Sequence, residues 1–156
     1  MECKKTICVT VINEHSVLAR VSGLFAGRGY NIESLSVAPV PNTEFSYITI
    51  TTKGNLRVFE QIVKQLHKLI PVLSVVENEQ VLQREMALVK IPIKQPLSEI
   101  ETLARAYSGI IAEVNEKYII VSVNDIPERV ESFLKAIEIF KPKEMIRSGA
   151  VAIERT

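Results

Sequence analysis

The chain has 156 residues, 47% apolar and 24% charged, with 19 Lys and Arg against 18 Asp and Glu. This is ordinary globular composition, and a formal charge of +1 gives no field that favours nucleic acid or an anionic membrane. No apolar run approaches the roughly 18 residues of a membrane span.

The N-terminal "MECKKTICVTVINEHS" lacks a small-residue cleavage site and reads as a strand, not a signal peptide. Cys3 and Cys8 lie five apart on that strand, so their side chains point to opposite faces and cannot bridge. That favours a reducing, cytoplasmic setting. Within "TICVTVI", Ile7, Val9 and Val11 alternate on one face, as in a half-buried strand. In "SVLARVSGLFAGRG", Val17, Leu18, Val21, Leu24 and Phe25 fall at helical spacing, with Gly29 as C-terminal cap. Residues 31–39 and 45–52 read as strands joined by the turn "VPNTE". Asn55 caps a second helix with the apolar stripe Leu56, Phe59, Ile62, Val63, Leu66 and Leu69. Pro71 stops it, and "VLSVVE" is a fourth strand.

Residues 78–83, "NEQVLQ", read as a polar linker, and then the order repeats. "MALVKIPI" is a strand. "SEIETLARAYSG" is a helix with a Ser98/Glu101 capping box and Gly109 at its end. "IIAEV" and "YIIVSV" form a hairpin around "NEK". "DIPERVESFLKAIEIF" is a helix with Asp125 as cap, Pro127 in its first turn and Glu128 completing the box. "EMIRSGAVAIE" is the last strand. The expected fold class is α+β: two ferredoxin-like βαββαβ domains, 1–77 and 84–156, each an antiparallel sheet with two helices on one face. The other sheet face has no cover in so small a unit, so association is expected.

Catalytic and metal signals are missing. His15 and His67 lie far apart in sequence with no ligand-spaced Cys or carboxylate cluster, and His67 reads as a solvated helix residue. There is no nucleophile elbow, phosphate loop or dinucleotide fingerprint. Cys8 reads as a small core residue, because no base is apparent near it. The glutamates of the third and fourth helices have solvent-type spacing. No catalytic residue is assigned.

The first strand-to-helix junction, "NEHSVLARV", has ligand-binding chemistry. A helix N-terminus presents unpaired N–H groups and partial positive charge, a cradle for a carboxylate. Asn13 can both donate and accept hydrogen bonds. Asn31 lies beyond the same helix, roughly 20 Å away at the α-helical rise. Two copies packed antiparallel would let Asn31 of one face Asn13 of the other around a small zwitterion, with Val17, Leu18 and Ile32 as an apolar wall. The plainer alternative is that Asn13 caps the helix and Asn31 satisfies a turn.

The stretches "NEHSVLARVSGLFAGRGYNIESLSVAP", "VFEQIVKQLHKLIPVLSVVE", "REMALVKI" and "RSGAVAIER" resemble the regulatory small subunit of acetohydroxyacid (acetolactate) synthase; "RGYNIESL" is the most specific. The resemblance implies an N-terminal ACT domain, a module that binds amino acids, and the family's second ferredoxin-like domain. It implies a homodimer bound to a separate large subunit that carries thiamine diphosphate, Mg and FAD and makes acetolactate in branched-chain (valine and isoleucine) biosynthesis. This chain would hold no cofactor and no metal, would raise the large subunit's activity, and would confer feedback inhibition, typically by valine. By match, the effector site takes Asn13, Ser16, Val17 and Leu18 from one chain and Asn31 and Ile32 from its partner.

One departure stands out: the family usually has Gly where this chain has Ser16, and a Cβ disfavours positive φ. Two other function classes compete with the regulatory subunit. A free-standing ACT-type sensor or transcriptional regulator would need a DNA-binding element, and no helix-turn-helix or basic stripe is evident. A small enzyme would need the missing constellation.

Overall fold

The structure is a computed structural model and describes residues 2–77 and 80–156. The chain divides into two compact units, Met1–Leu82 with Ala150–Thr156, and Gln83–Gly149.

The first unit contains β1 (Cys3–Ile12), α1 (Val17–Ala26), β2 (Ile32–Pro39), β3 (Phe45–Gly54), α2 (Leu56–His67) and β4 (Val72–Glu77). Its sheet runs β2-β3-β1-β4. All pairings are antiparallel, with Ile7 opposite Ile50 and Val9 opposite Ile48 in the central pair. These four residues pack with Val21, Phe25, Phe59, Ile62 and Leu66 in one apolar core. The helix stripes are therefore what covers the sheet. Gly29 ends α1 as expected, at φ 69°. Its N–H donates to the Ala26 carbonyl and that of Tyr30 to the Phe25 carbonyl, the double bond pattern of a left-handed C-cap. Asn55 Oδ1 accepts from the Val58 amide at 3.0 Å and caps α2. Leu56, expected in the α2 stripe, is instead 64% exposed. It is the first helical residue, and the buried face begins at Phe59.

The second half of the chain repeats the order with β5 (Val81–Pro92), α3 (Leu97–Ala106), β6 (Gly109–Val114), β7 (Tyr118–Asp125), α4 (Pro127–Ala136) with a 3-10 turn to Phe140, and β8 (Glu144–Glu154). Its sheet runs β6-β7-β5-β8. Val89, Ile91, Ile119, Val121 and Val123 meet Ile100, Val130, Phe133 and Ile137 in its core. Two four-stranded antiparallel sheets with paired helices are the ferredoxin-like arrangement expected of each half.

Several local expectations are corrected. The Ser98/Glu101 box does not form: Pro96 is the N-cap of α3 without a side-chain cap bond, and Glu101 instead pairs with Arg105 one turn on, at 2.7 Å. The left-handed residue after α3 is Ser108, at φ 58°. Gly109 serves close packing, since a Cβ there would stand 2.7 Å from Val123 Cγ2 and 3.0 Å from the Ala104 carbonyl oxygen. Ile126, not Asp125, is the N-cap of α4, with Pro127 at its first turn. Asp125 is drawn away by two guanidinium groups, described below.

The expected linker is partly structured. Val81, Leu82 and Gln83 begin β5, while residues 78 and 79 lie outside the described residues. β8 is eleven residues long and passes through Gly149 at φ 79°. The stretch Ala150–Thr156, which includes its last residues, belongs with the first unit. There Ala152 and Val81 pack on Cys8, with Tyr47 and Val76 at the margin. The outer sheet face of the first unit, expected to be bare, is therefore covered in part by its own chain.

Candidate functional site

Alternation along β1 sends Ile7, Val9 and Val11 inward, and the strand ends at Ile12. Asn13 follows, with its amide N–H donating to the Glu44 carbonyl at 2.8 Å. That bond fixes the backbone and leaves the side chain exposed. Ser16 is the N-cap of α1 but makes no side-chain cap bond, and its backbone is left-handed at φ 70°. Such a conformation costs an ordinary L-residue roughly 1–2 kcal/mol and is free for glycine. The hydroxyl therefore does not hold the first turn, and the amides at the start of α1 keep their hydrogen-bonding capacity. Val17 is buried in the core, while Leu18 is 39% exposed beside it.

Asn31 lies beyond the other end of α1, whose ten residues span about 15 Å. Asn13, Ser16, Val17 and Leu18 thus form one group, and Asn31 and Ile32 a second; a single chain does not bring the two together. Asn31 is held by its carbonyl, which accepts from Thr52 Oγ1 at 2.6 Å. Thr52 is fully buried, so the bond ties the Asn31 backbone to the core side of β3, while the Asn31 residue itself is exposed. Ile32 packs on the core. Pairing shifts between Ile32 and Ser34, a bulge at Glu33 that turns its carboxylate to Lys53 at 2.9 Å and Lys4 at 3.3 Å. The Lys53 hydrogen bond, opposed by partial desolvation and helped by Lys4, lowers the Glu33 pKa. β2 is an edge strand, so one side of it is open for pairing.

Sequence reasoning missed Thr52 and Glu33. The signal for Thr52 was present: in "FSYITITT" the inward series Ile48, Ile50, Thr52 ends on a hydroxyl, and a buried hydroxyl needs a partner. The bulge at Glu33 has no comparable signal.

Cys8 is a packed core residue. It is 1% exposed, and burial pushes its thiol pKa up against the lowering effect of its hydrogen bond with Tyr47. A thiol held protonated is a poor nucleophile. His15 and His67 are both exposed. Among the described residues, no three His, Cys, Asp or Glu side chains gather as metal ligands would. No described helix is long and apolar enough to cross a membrane.

Residues 7–74 match the model of the AHAS small subunit-like ACT domain, and residues 84–156 that of the small subunit of acetolactate synthase. An acetolactate synthase isozyme 3 small subunit of Escherichia coli is 39% identical over 97% of this chain and 96% of its own. A probable acetolactate synthase small subunit of Archaeoglobus fulgidus is 38% identical over 97% of both. The crystal structure of the acetolactate synthase small subunit from Thermotoga maritima superposes with a TM-score of 0.87 at 31% identity, covering 99% of this chain and 98% of that one. Both halves match in order and nearly end to end, so the chain belongs to the family of acetolactate synthase small subunits, the regulatory and not the catalytic subunit of that enzyme.

Proposed function

We propose that this chain works as a cytoplasmic homodimer that activates a large catalytic subunit and lets valine, or a related branched-chain amino acid, inhibit it. The large subunit holds thiamine diphosphate, Mg and FAD and joins two pyruvates into acetolactate with loss of CO2. This chain adds no catalytic group. The effector lies between two ACT domains, its carboxylate at the start of α1 against Asn13 and Ser16 of one protomer. The Asn31 amide of its partner takes the ammonium, and Val17, Leu18 and Ile32 receive the aliphatic side chain.

The observation that carries this reading is Ser16. A left-handed N-cap without a cap bond leaves helix amides available for a carboxylate, at the position where glycine is the family's usual residue. The exposed amides of Asn13 and Asn31, each fixed through its backbone, are the second support.

The test is turnover of the reconstituted enzyme against valine for the parent, Ser16→Asp and Ser16→Gly. Two like charges about 4 Å apart repel by roughly 4 kcal/mol at an effective dielectric of about 20, and half of that exceeds one decade of affinity. Asp near a helix N-terminus favours the dipole, so folding persists. Ser16→Asp is expected to activate the large subunit and to lose valine inhibition by more than tenfold, while Ser16→Gly keeps or strengthens it. Parent-like inhibition of Ser16→Asp would move the effector elsewhere.

A further inference from the structure

The helical layer of the first unit is electrostatically lopsided. Residues 17–30 and 56–70 carry Arg20, Arg28, Arg57, Lys64 and Lys68 against the single carboxylate of Glu60, in a chain whose net charge is +1. Three of these cations, Arg20, Arg28 and Lys68, line one groove of about 470 Å³ along α1 and the C-terminal end of α2. Leu24, Leu69 and Ile70 supply its apolar surface, and Ile70 is 91% exposed. Arg28 donates to Gln65 Oε1 at 3.1 Å, an uncharged acceptor that orients the guanidinium without neutralising it. Among the described residues, none of the three cations pairs with a carboxylate.

An apolar strip rimmed by unpaired cations matches the anatomy of a binding surface, where arginine is enriched and the rim is polar. We infer that this groove docks an acidic amphipathic segment of the large catalytic subunit, with aliphatic side chains on Leu24, Leu69 and Ile70 and carboxylates on Arg20, Arg28 and Lys68. A second copy of this chain is the poorer occupant, because a two-fold contact sets this patch, with three cations and no carboxylate in its lining, against an identical one. The inference rests on the regulatory-subunit reading above, and it assigns that partner a surface separate from the effector residues.

The test compares binding of the purified large subunit by the parent, by Arg28→Glu/Lys68→Glu, and by Arg57→Glu/Lys64→Glu. The last pair has the same charge change on the same layer outside the groove. All four side chains are exposed, so folding is checked by circular dichroism and expected to be intact. The groove variant should bind at least tenfold more weakly, the control within about threefold of the parent. Parent affinity should also fall as salt rises, as expected for exposed charge pairs. Parent-like binding by the groove variant overturns the groove assignment alone. Equal losses in both variants overturn it in favour of the general field of the layer. A changed mass of the groove variant by itself in light scattering would place a second copy there and also overturn it. A parent that does not bind the large subunit overturns both this inference and the regulatory reading, so the failures are distinguishable.

Discussion

The two units repeat one element order and one strand order, yet they place their charges in opposite ways. In the second unit the helical segments 97–106 and 127–140 carry five carboxylates, Glu99, Glu101, Glu128, Glu131 and Glu138, against three cations. The first unit's helices are cationic instead. The second unit also draws charge inward. Glu85 and Asp125 stand opposite each other on β5 and β7, both nearly buried. Arg147 grips Glu85 through two nitrogens, at 2.7 and 3.0 Å, and also pairs with Glu131. Asp125 takes Arg129 at 2.6 Å and Arg84 at 3.0 Å, and Arg129 stacks over Tyr107. The first unit buries no such pair among its described residues, and its groove cations find no carboxylate. A shared topology thus carries two different charge arrangements: ion pairs that close on themselves in one unit, and cations without a carboxylate partner among the described residues in the other.

The sharpest way to break that contrast is to remove Arg147. Glu85 would keep its burial and lose its bidentate partner, and breaking a buried pair from one side costs about 3–5 kcal/mol. Arg147→Ala should therefore strip amide-exchange protection from β5 and β7 while β1 and β3 change far less. Glu85→Leu/Arg147→Met should be near neutral, since an apolar pair of similar volume often substitutes well. Equal loss in both units would contradict the separation. Acid probes the same end. Burial raises the Asp125 pKa, but hydrogen bonds from Arg129 and the Ile126 amide, with the charges of Arg129 and Arg84, bring it below the ordinary value. A lowered folded pKa gives stability that is present above the unfolded value, about 3.9, and is lost as pH falls through the folded one. Protection in the second unit should fall on acidification below about pH 4, and Asp125→Asn should flatten that fall.

A second test concerns the outer faces. In the first unit this face is built of hydroxyls and a thiol: Thr49 lies between Cys8 and Ser36, and Thr51 between Thr6 and Ser34. Val81 and Ala152 cover Cys8, and the Ala152 amide donates to Thr49 Oγ1 at 3.4 Å. The corresponding face of the second unit leaves Met86, Leu88 and Ile110 exposed. Deleting residues 150–156 should therefore loosen the first unit. Burial of apolar side chains is worth about 0.8 kcal/mol per CH2, so the loss should be of the order of 1–2 kcal/mol. In a Cys3→Ser background, which removes the exposed thiol, Cys8 should react with a disulfide reagent at least tenfold faster after the deletion. Unchanged reactivity would mean that the strand end does not shield it.

Much of this was legible in the chain. Among the described residues, eight strands and four α-helices announce themselves because inward residues alternate in the strands and recur at helical spacing in α1 to α4. What stayed hidden depended on partners distant in sequence. Asp125 looks like a cap because it precedes Ile126 and Pro127; Arg84, forty-one positions earlier, helps convert it to an ion-pair centre. Ser98 and Glu101 have capping-box spacing, but the chain enters α3 at Pro96 and leaves them inside the helix. β8 reads as one strand because its apolar pattern is continuous, and nothing local reveals that it changes unit at Gly149. At the candidate site, the placement of Asn13 and Asn31 at opposite ends of α1 was readable from the element order. The bonds that hold their backbones, Glu44 to Asn13 and Thr52 to Asn31, come from β3 and its preceding turn and needed the fold.

The smallest effect separates the units at the start of their first helices. Ser16 begins α1 at φ 70° with no cap bond; Pro96 begins α3 at φ −70° in extended backbone. Ser16→Gly removes a left-handed cost of roughly 1–2 kcal/mol and adds glycine's unfolded-state entropy, roughly 0.5–1 kcal/mol. The net change should be a stabilisation of about 1 kcal/mol or less. Pro96→Gly relieves no strain and only frees the unfolded chain, so it should destabilise by about 0.4–1 kcal/mol. Equivalent positions should thus respond with opposite sign in urea unfolding. Ser16→Ala is the internal control, because it keeps the strain and removes only the hydroxyl. If that hydroxyl makes no cap bond, Ser16→Ala should lie within about 0.5 kcal/mol of the parent, the range of surface changes away from special features. A loss near 1 kcal/mol, typical of a removed N-cap, would show that the serine caps α1 in solution and that its amides are not free for a carboxylate.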